Sequence, residues 1–270
     1  MKTAFIGGGN MASAIIGGLV ARGARSEDIV VVEPGAPSRA RLASEYGVNA
    51  VEAPGEEMRS VQAIVLAVKP QNMREAAVAL APYLDRQVVI TIAAGIRLVD
   101  LGRWLGGHAR LVRAMPNTPA LVHAGVTGLY AGPGVSELER QSADKLLGAV
   151  GATVWFDRET DLDAVVAVSG SGPAYVFYAM EALEAAAREL DLPPEKARTL
   201  ALWTFVGAAK LAIERNADPA ILRANVTSKG GTTERALAVM DASYVREKFI
   251  EAVKAAAQRS RELGDEFGKG

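Results

Sequence analysis

Three consecutive glycines, Gly7, Gly8 and Gly9, stand between a strand-like run, Thr3–Ile6, and a helix-like run beginning at Met11. Together with Asn10, Met11 and Ala12 they form a G-x-G-x-x-A loop. Glycine there permits a tight turn and lets a pyrophosphate approach the N–H groups at a helix start, while the small final residue lets helix and strand pack closely. Glu33 follows 21 residues after Ala12, closing the next strand-like run, where a carboxylate can accept from a ribose hydroxyl. Ile6, Gly7, Gly8, Gly9, Asn10, Met11, Ala12, Glu33 and Pro34 are therefore candidates for dinucleotide binding. A Walker-type loop is excluded, because no Gly-Lys-Ser/Thr follows. The uncharged stretch from Thr3 to Ala21 has roughly the length of a membrane span or signal region, but the glycines interrupt it, so neither is expected.

The pattern set by this loop continues to about residue 157. Strand candidates Thr3–Ile6, Ile29–Val32, Ala63–Ala67, Val88–Thr91, Leu111–Ala114, Val126–Leu129 and Thr153–Phe156 alternate with helical candidates Met11–Ala21, Ser38–Glu45, Met73–Leu84, Leu98–Leu105 and Glu137–Val150. Such alternation predicts a doubly wound parallel α/β sheet. After Asp157 only helices are predicted, over Asp161–Val168, Pro173–Leu190, Pro194–Glu214, Pro219–Ala224, Thr233–Met240 and Tyr244–Leu263. Two domains are expected, 1–159 and 160–270. Residues Ala201 to Ala209 carry no charge on any helical face, which predicts that the helical half meets a second subunit. The end, Gly268-Lys269-Gly270, reads as a frayed tail.

Composition removes several classes of chemistry. With 30 Lys+Arg against 31 Asp+Glu, the net charge of −1 gives no general attraction to nucleic acid or acidic membranes. The absence of cysteine excludes thiol nucleophiles, Cys-ligated metals and disulfides, and leans towards a cytoplasmic protein. Two histidines, His108 and His123, are too few for a histidine-rich metal site; no metal is expected, and both are read as exposed loop residues.

Other motifs fall where open α/β sheets bind ligands. Ala67-Val68-Lys69-Pro70 and Ile92-Ala93-Ala94-Gly95 follow strand candidates, and Lys69 is held extended by the proline after it. Met115-Pro116-Asn117-Thr118-Pro119 is a stiff loop suited to positioning a nicotinamide or to a plain turn. Asn225 through Thr233, with Ser228, Gly231, Thr232 and Thr233, opens a helix as a set of N–H donors beside hydroxyls; it suits a carboxylate or phosphate, or simply caps the helix. Ser169-Gly170-Ser171-Gly172-Pro173 fails the nucleophile-elbow pattern and reads as a helix-opening linker. Glu33 favours NADH, whereas Arg39 and Arg41 could hold the extra phosphate of NADPH.

In this combination the chain resembles the pyrroline-5-carboxylate reductase family over essentially its whole length. The most specific part is Pro219 through Asp241, including Val226-Thr227-Ser228-Lys229-Gly230-Gly231-Thr232-Thr233. The resemblance implies an N-terminal Rossmann domain for NADPH or NADH and an all-α C-terminal dimerisation domain, with rings of dimers in many members. It implies reduction of 1-pyrroline-5-carboxylate to L-proline, with Gly231, Thr232 and Thr233 on the substrate carboxylate or ring nitrogen. By the same carry-over Ser228 joins the substrate loop, Asn225 contacts both cofactor and substrate, and Ala67, Val68, Lys69, Pro70, Ala93 and Ala94 line the cleft. Thr233 and Lys69 become the catalytic candidates. A cyclic imine carbon is already electrophilic, so hydride delivery and orientation matter more than an enzyme-held base. Two features depart from the pattern: Glu33 replaces a small polar residue, and Ala53–Glu57 lacks an asparagine that some members place near the adenosine ribose. A β-hydroxyacid dehydrogenase would share the two-domain plan, but Lys210 lacks the asparagine one turn on. A non-catalytic cofactor-binding protein would leave the Gly-Gly-Thr-Thr loop unused.

Overall fold

The computed structural model describes residues 1–268. Its strands are β1 (Thr3–Ile6), β2 (Ile29–Val32), β3 (Asn49–Val51), β4 (Ala63–Leu66), β5 (Val88–Thr91), β6 (Leu111–Met115), β7 (Gly125–Ala131) and β8 (Gly151–Trp155). Five helices lie among them: α1 (Asn10–Ala21), α2 (Ala36–Tyr46), α3 (Met73–Leu80), α4 (Leu98–Trp104) and α5 (Glu137–Leu147). Then come α6 (Asp161–Val165), α7 (Gly172–Glu189), α8 (Pro194–Arg215), α9 (Pro219–Asn225), α10 (Thr232–Ala242) and α11 (Val245–Phe267).

The eight strands form one sheet in the order β3-β2-β1-β4-β5-β6-β7-β8. Successive side chains on a strand point to opposite faces, and here both faces are covered. Phe5, Val31, Val65 and Ile90 pack on one side with Ile15, Ile16, Leu42 and Leu146, whereas Ala4, Ile6, Ile64, Leu66 and Val89 pack on the other with Met73, Leu80, Leu98 and Leu101. The strands are therefore almost uninterrupted apolar runs, as the sequence pattern predicts.

Two features of the sheet differ from the expectation. Asn49–Val51 adds a short edge strand parallel to β2, too brief for alternation to reveal. The β7 strand runs antiparallel to β6. A parallel return needs a crossover of about a dozen residues or more, usually a helix, and the loop after Met115 makes only a short 3₁₀ turn, Thr118–Val122.

The chain divides into two compact units, 1–171 with 256–270, and 172–255. The strands end near residue 157 as expected, but α6 and the end of α11 belong to the first unit. Arg113 on β6, almost fully buried, lies 3.3 Å from Glu159 and 3.9 Å from Asp163. The Ser260 hydroxyl of α11 donates to Asp163 at 2.8 Å, and Arg97 pairs with Asp265 at 2.7 Å. The expected fraying is corrected at Gly268, whose N–H donates to the Gly264 carbonyl and whose own carbonyl accepts from Arg103. Lys269 and Gly270 lie outside the described residues.

The second unit has little core of its own. In α7, α9 and α10 no residue is buried, and in α8 only Ala197 and Ala201 are. Phe177, Trp203 and Phe249 are each more than half exposed. No helix among the described residues is long and apolar enough to cross a membrane.

His123 is exposed, but His108 is half-buried, with its Nε2 2.8 Å from the Gln87 carbonyl. Burial lowers its pKa below the usual 6.5. The unfolded chain then binds the proton first, so stability is full above about pH 6.5 and falls as pH drops towards the depressed folded value. Thermal melts from pH 7 to pH 5 should show a shallower loss for His108→Gln than for the unsubstituted protein.

Candidate cofactor and substrate sites

The first candidate site lies at the carboxyl ends of the central strands. The sheet order reverses between β1 and β4, which are neighbours although the chain leads from β1 to β2 on the other side. The crevice at such a point is where open α/β sheets bind dinucleotides. The β1–α1 loop and the loop Ala67-Val68-Lys69-Pro70 flank it, and Ala93 and Ala94 follow β5 alongside.

The loop glycines are demanded by space. Gly7 has φ +100°, and a Cβ there would lie 2.8 Å from the Ala67 carbonyl oxygen and 3.0 Å from Val68 Cγ1. At Gly8 a Cβ would strike Leu42 Cδ1 at 2.5 Å, whereas at Gly9 it would meet nothing within 4 Å. Gly9 is the N-cap of α1, no side chain caps this end, and the first turn carries no acid. The N–H groups of Asn10, Met11 and Ala12 have no acceptor within the helix ladder. Backbone close approach, free donors and a positive helix end together fit a pyrophosphate.

Glu33 completes this end. Its carboxylate accepts from the Gly8 N–H and from the Gly35 N–H, both at 2.9 Å. Arg39 turns onto the Glu33 and Pro34 carbonyls, at 2.8 and 2.7 Å. Arg41 reaches the Gly8 carbonyl at 3.2 Å and the Ser13 hydroxyl at 3.1 Å. Lys69 has the extended backbone expected before proline, φ −62° and ψ 148°. Its side chain is exposed, and its ammonium meets no acid among the described residues.

The second candidate site lies in the helical unit, where Asn225 ends α9 and the Thr227–Gly231 loop leads into α10. Gly230 takes φ +73°, and Gly231 is the N-cap. The Gly231 N–H donates to the Ser228 carbonyl at 3.0 Å, and a Cβ on Gly231 would sit 2.5 Å from the Ser228 hydroxyl. Glu234 accepts from the Gly230 N–H at 2.7 Å, and no side chain caps α10 itself. The N–H groups of Thr232 and Thr233 remain available beside their own hydroxyls, Thr233 half-buried and Thr232 exposed. This arrangement suits a small carboxylate.

Within the stiff loop Met115–Pro119, the structure gives the Asn117 amide partners that the sequence pattern did not foresee. The amide is buried, accepts from the Val126 N–H at 2.9 Å and donates to the Ser169 carbonyl at 3.1 Å. It fastens the loop after β6 both to β7 and to the π-helical turn Val166–Gly170. An asparagine flanked by prolines was its only signal.

Known proteins match this chain along most of its length. The family model described as pyrroline-5-carboxylate reductase dimerisation matches residues 159–263, and one described as NADP oxidoreductase coenzyme F420-dependent matches residues 2–95. The pyrroline-5-carboxylate reductase of Pseudomonas aeruginosa is 45% identical, over 99% of this chain and 98% of its own. The chain belongs to the pyrroline-5-carboxylate reductase family. The Haemophilus influenzae member is 43% identical, over 96% of each chain. Among solved structures, the Coxiella burnetii reductase superposes with a TM-score of 0.93 at 39% identity, covering 97% of this chain and 98% of that one. The Plasmodium falciparum enzyme, solved with NADP bound, gives 0.85 at 27% identity, covering 98% of each.

The crowding at Gly7 makes a substitution there informative. Gly7→Ala should raise the cofactor dissociation constant roughly tenfold or more, since a non-glycine residue forced into this conformation costs ~1–3 kcal/mol. Fluorescence titration with NADH and NADPH measures this, with a melting curve confirming that the variant folds.

Proposed function

We propose that this protein reduces 1-pyrroline-5-carboxylate to L-proline at the expense of NAD(P)H, the last step of proline biosynthesis. The observation that carries the reading is the presence in one chain of a glycine-built dinucleotide cradle and an uncapped Gly-Gly-Thr-Thr helix start, with full-length relatives that bear that enzyme name. Bound NAD(P)H supplies the hydride that adds to the imine carbon. The protein's own work is binding and orientation. In this reading Ile6, Gly7 through Ala12, Glu33, Pro34, Ala67 through Pro70, Ala93, Ala94 and Asn225 serve the cofactor. Ser228, Gly231, Thr232 and Thr233, with Lys69, Ala94 and Asn225, serve the substrate.

The α10 N-terminus takes the substrate carboxylate through its free N–H groups, where the helix end favours negative charge. Thr233 hydrogen-bonds near the ring nitrogen, which carries a proton on arrival or takes one through water, and Lys69 keeps a positive charge at the cleft. No protein acid needs to titrate near neutrality. Thr233→Ala should therefore lower kcat/KM by a hydrogen bond's worth, roughly 1–3 kcal/mol. The assay follows oxidation of NADH and NADPH separately on adding 1-pyrroline-5-carboxylate. Silence with both cofactors would overturn the assignment.

The exposed apolar helices support a homodimer as the minimum assembly, open to closure into a ring of dimers. Residues 1–159 would serve mainly the cofactor, and 160–270 dimerisation and the substrate. A cytoplasmic location belongs to the same proposal. Trp203→Asp, placing a charge on an exposed apolar stretch of α8, should lower the mass measured by sedimentation.

A further inference from the structure

We infer that Glu33 makes this enzyme select NADH over NADPH, because its carboxylate stands where the additional phosphate of NADPH would need its donors. The inference rests on the dinucleotide reading of the glycine loop and goes beyond it. Glu33 closes β2, the strand beside β1, at the rim of the crevice where a Rossmann-type sheet receives the adenosine ribose.

The carboxylate is fixed in place. One oxygen accepts from Gly8 in the phosphate loop and the other from Gly35, the N-cap of α2. A helix start would ordinarily offer N–H groups to an anion. Here the N-cap donor is taken by a carboxylate of the protein, and the second helical residue, Pro37, has no N–H. Of the first-turn donors only the Ala36 and Ser38 N–H groups remain, and an internal anion already stands against this helix end, while the remaining lone pairs of the carboxylate can accept from ribose hydroxyls.

The two arginines that could have reversed this preference are committed elsewhere. Arg39 spans the Glu33 and Pro34 carbonyls and lies 3.4 Å from Glu52. Arg41 spans the Gly8 carbonyl and the Ser13 hydroxyl and pairs with Glu45 at 3.1 Å. Three carboxylates, Glu33, Glu45 and Glu52, thus share the rim with two guanidinium groups. A phosphate dianion entering here meets a fixed like charge and finds no free arginine fork, and discrimination by repulsion is the general result.

The test measures binding and turnover together. NADH and NADPH are titrated calorimetrically into the unsubstituted enzyme, Glu33→Gln and Glu33→Ser, and kcat and KM are measured with each cofactor on 1-pyrroline-5-carboxylate. The unsubstituted enzyme should bind NADH roughly tenfold or more tightly than NADPH, with the preference in KM rather than kcat. Glu33→Gln keeps the shape and removes the charge, and Glu33→Ser clears the position, so both should shrink the ratio by about the same factor. Equal or tighter binding of NADPH by the unsubstituted enzyme, or a ratio unmoved in both variants, would overturn the inference, and the first of these is decisive even if a variant does not fold. Preferential NADH binding without turnover would sink the reductase reading and leave the selection standing.

Discussion

The contact between Gly7 and the backbone of Ala67 governs the first unit. Two parallel strands, β1 and β4, emerge side by side, and their loops diverge around a crevice only because no side chain stands at Gly7. The left-handed backbone there turns the chain into α1 with the helix end facing outward. The direction of α1 and the anion-binding capacity of its start follow from this position. The fixed carboxylate of Glu33 depends on it in turn, since Gly8, its donor, is held by the same turn.

A second constraint is electrostatic. Arg113 is placed on a central strand with almost no solvent, so its charge requires compensation, and Glu159 and Asp163 supply it. Glu159 also accepts from the Leu98 N–H at the start of α4, and Asp163 from Ser260 of α11. A buried charge thereby gathers β6, α4, α6 and the last helix into one unit. The helical unit shows the opposite situation, with abundant apolar surface and few places within the chain to bury it. An oligomer resolves that imbalance.

Most elements were legible because their signals are local. Glycines and prolines punctuate the chain, both sheet faces are buried so the strands read as apolar runs, and three of the six helices after Asp157 carry proline in the first turn. What escaped was non-local. Asn49–Val51 is a strand only because β2 lies beside it, and β7 reverses only because its loop cannot cross the sheet. Nothing around His108 announces the Gln87 carbonyl it meets, and Asn117 is distinguished by two partners, one 52 residues away. The last helix looked free-ended, yet Phe267 lies against Gly95.

The sequence by itself determined the order of elements, the glycine cradle and the Gly-Gly-Thr-Thr helix start, since each depends on backbone freedom or periodicity that residue types carry with them. It left the use of Glu33, Arg39 and Arg41 undecided, because an acid and two arginines at that spacing suit either cofactor. Tertiary structure decided their partners: folding brings Gly8 and Gly35 onto the carboxylate and turns both guanidinium groups onto carbonyls. The reason is physical. Periodicity reports which face of an element is buried, whereas a charged side chain chooses among partners that only the packed chain brings within reach.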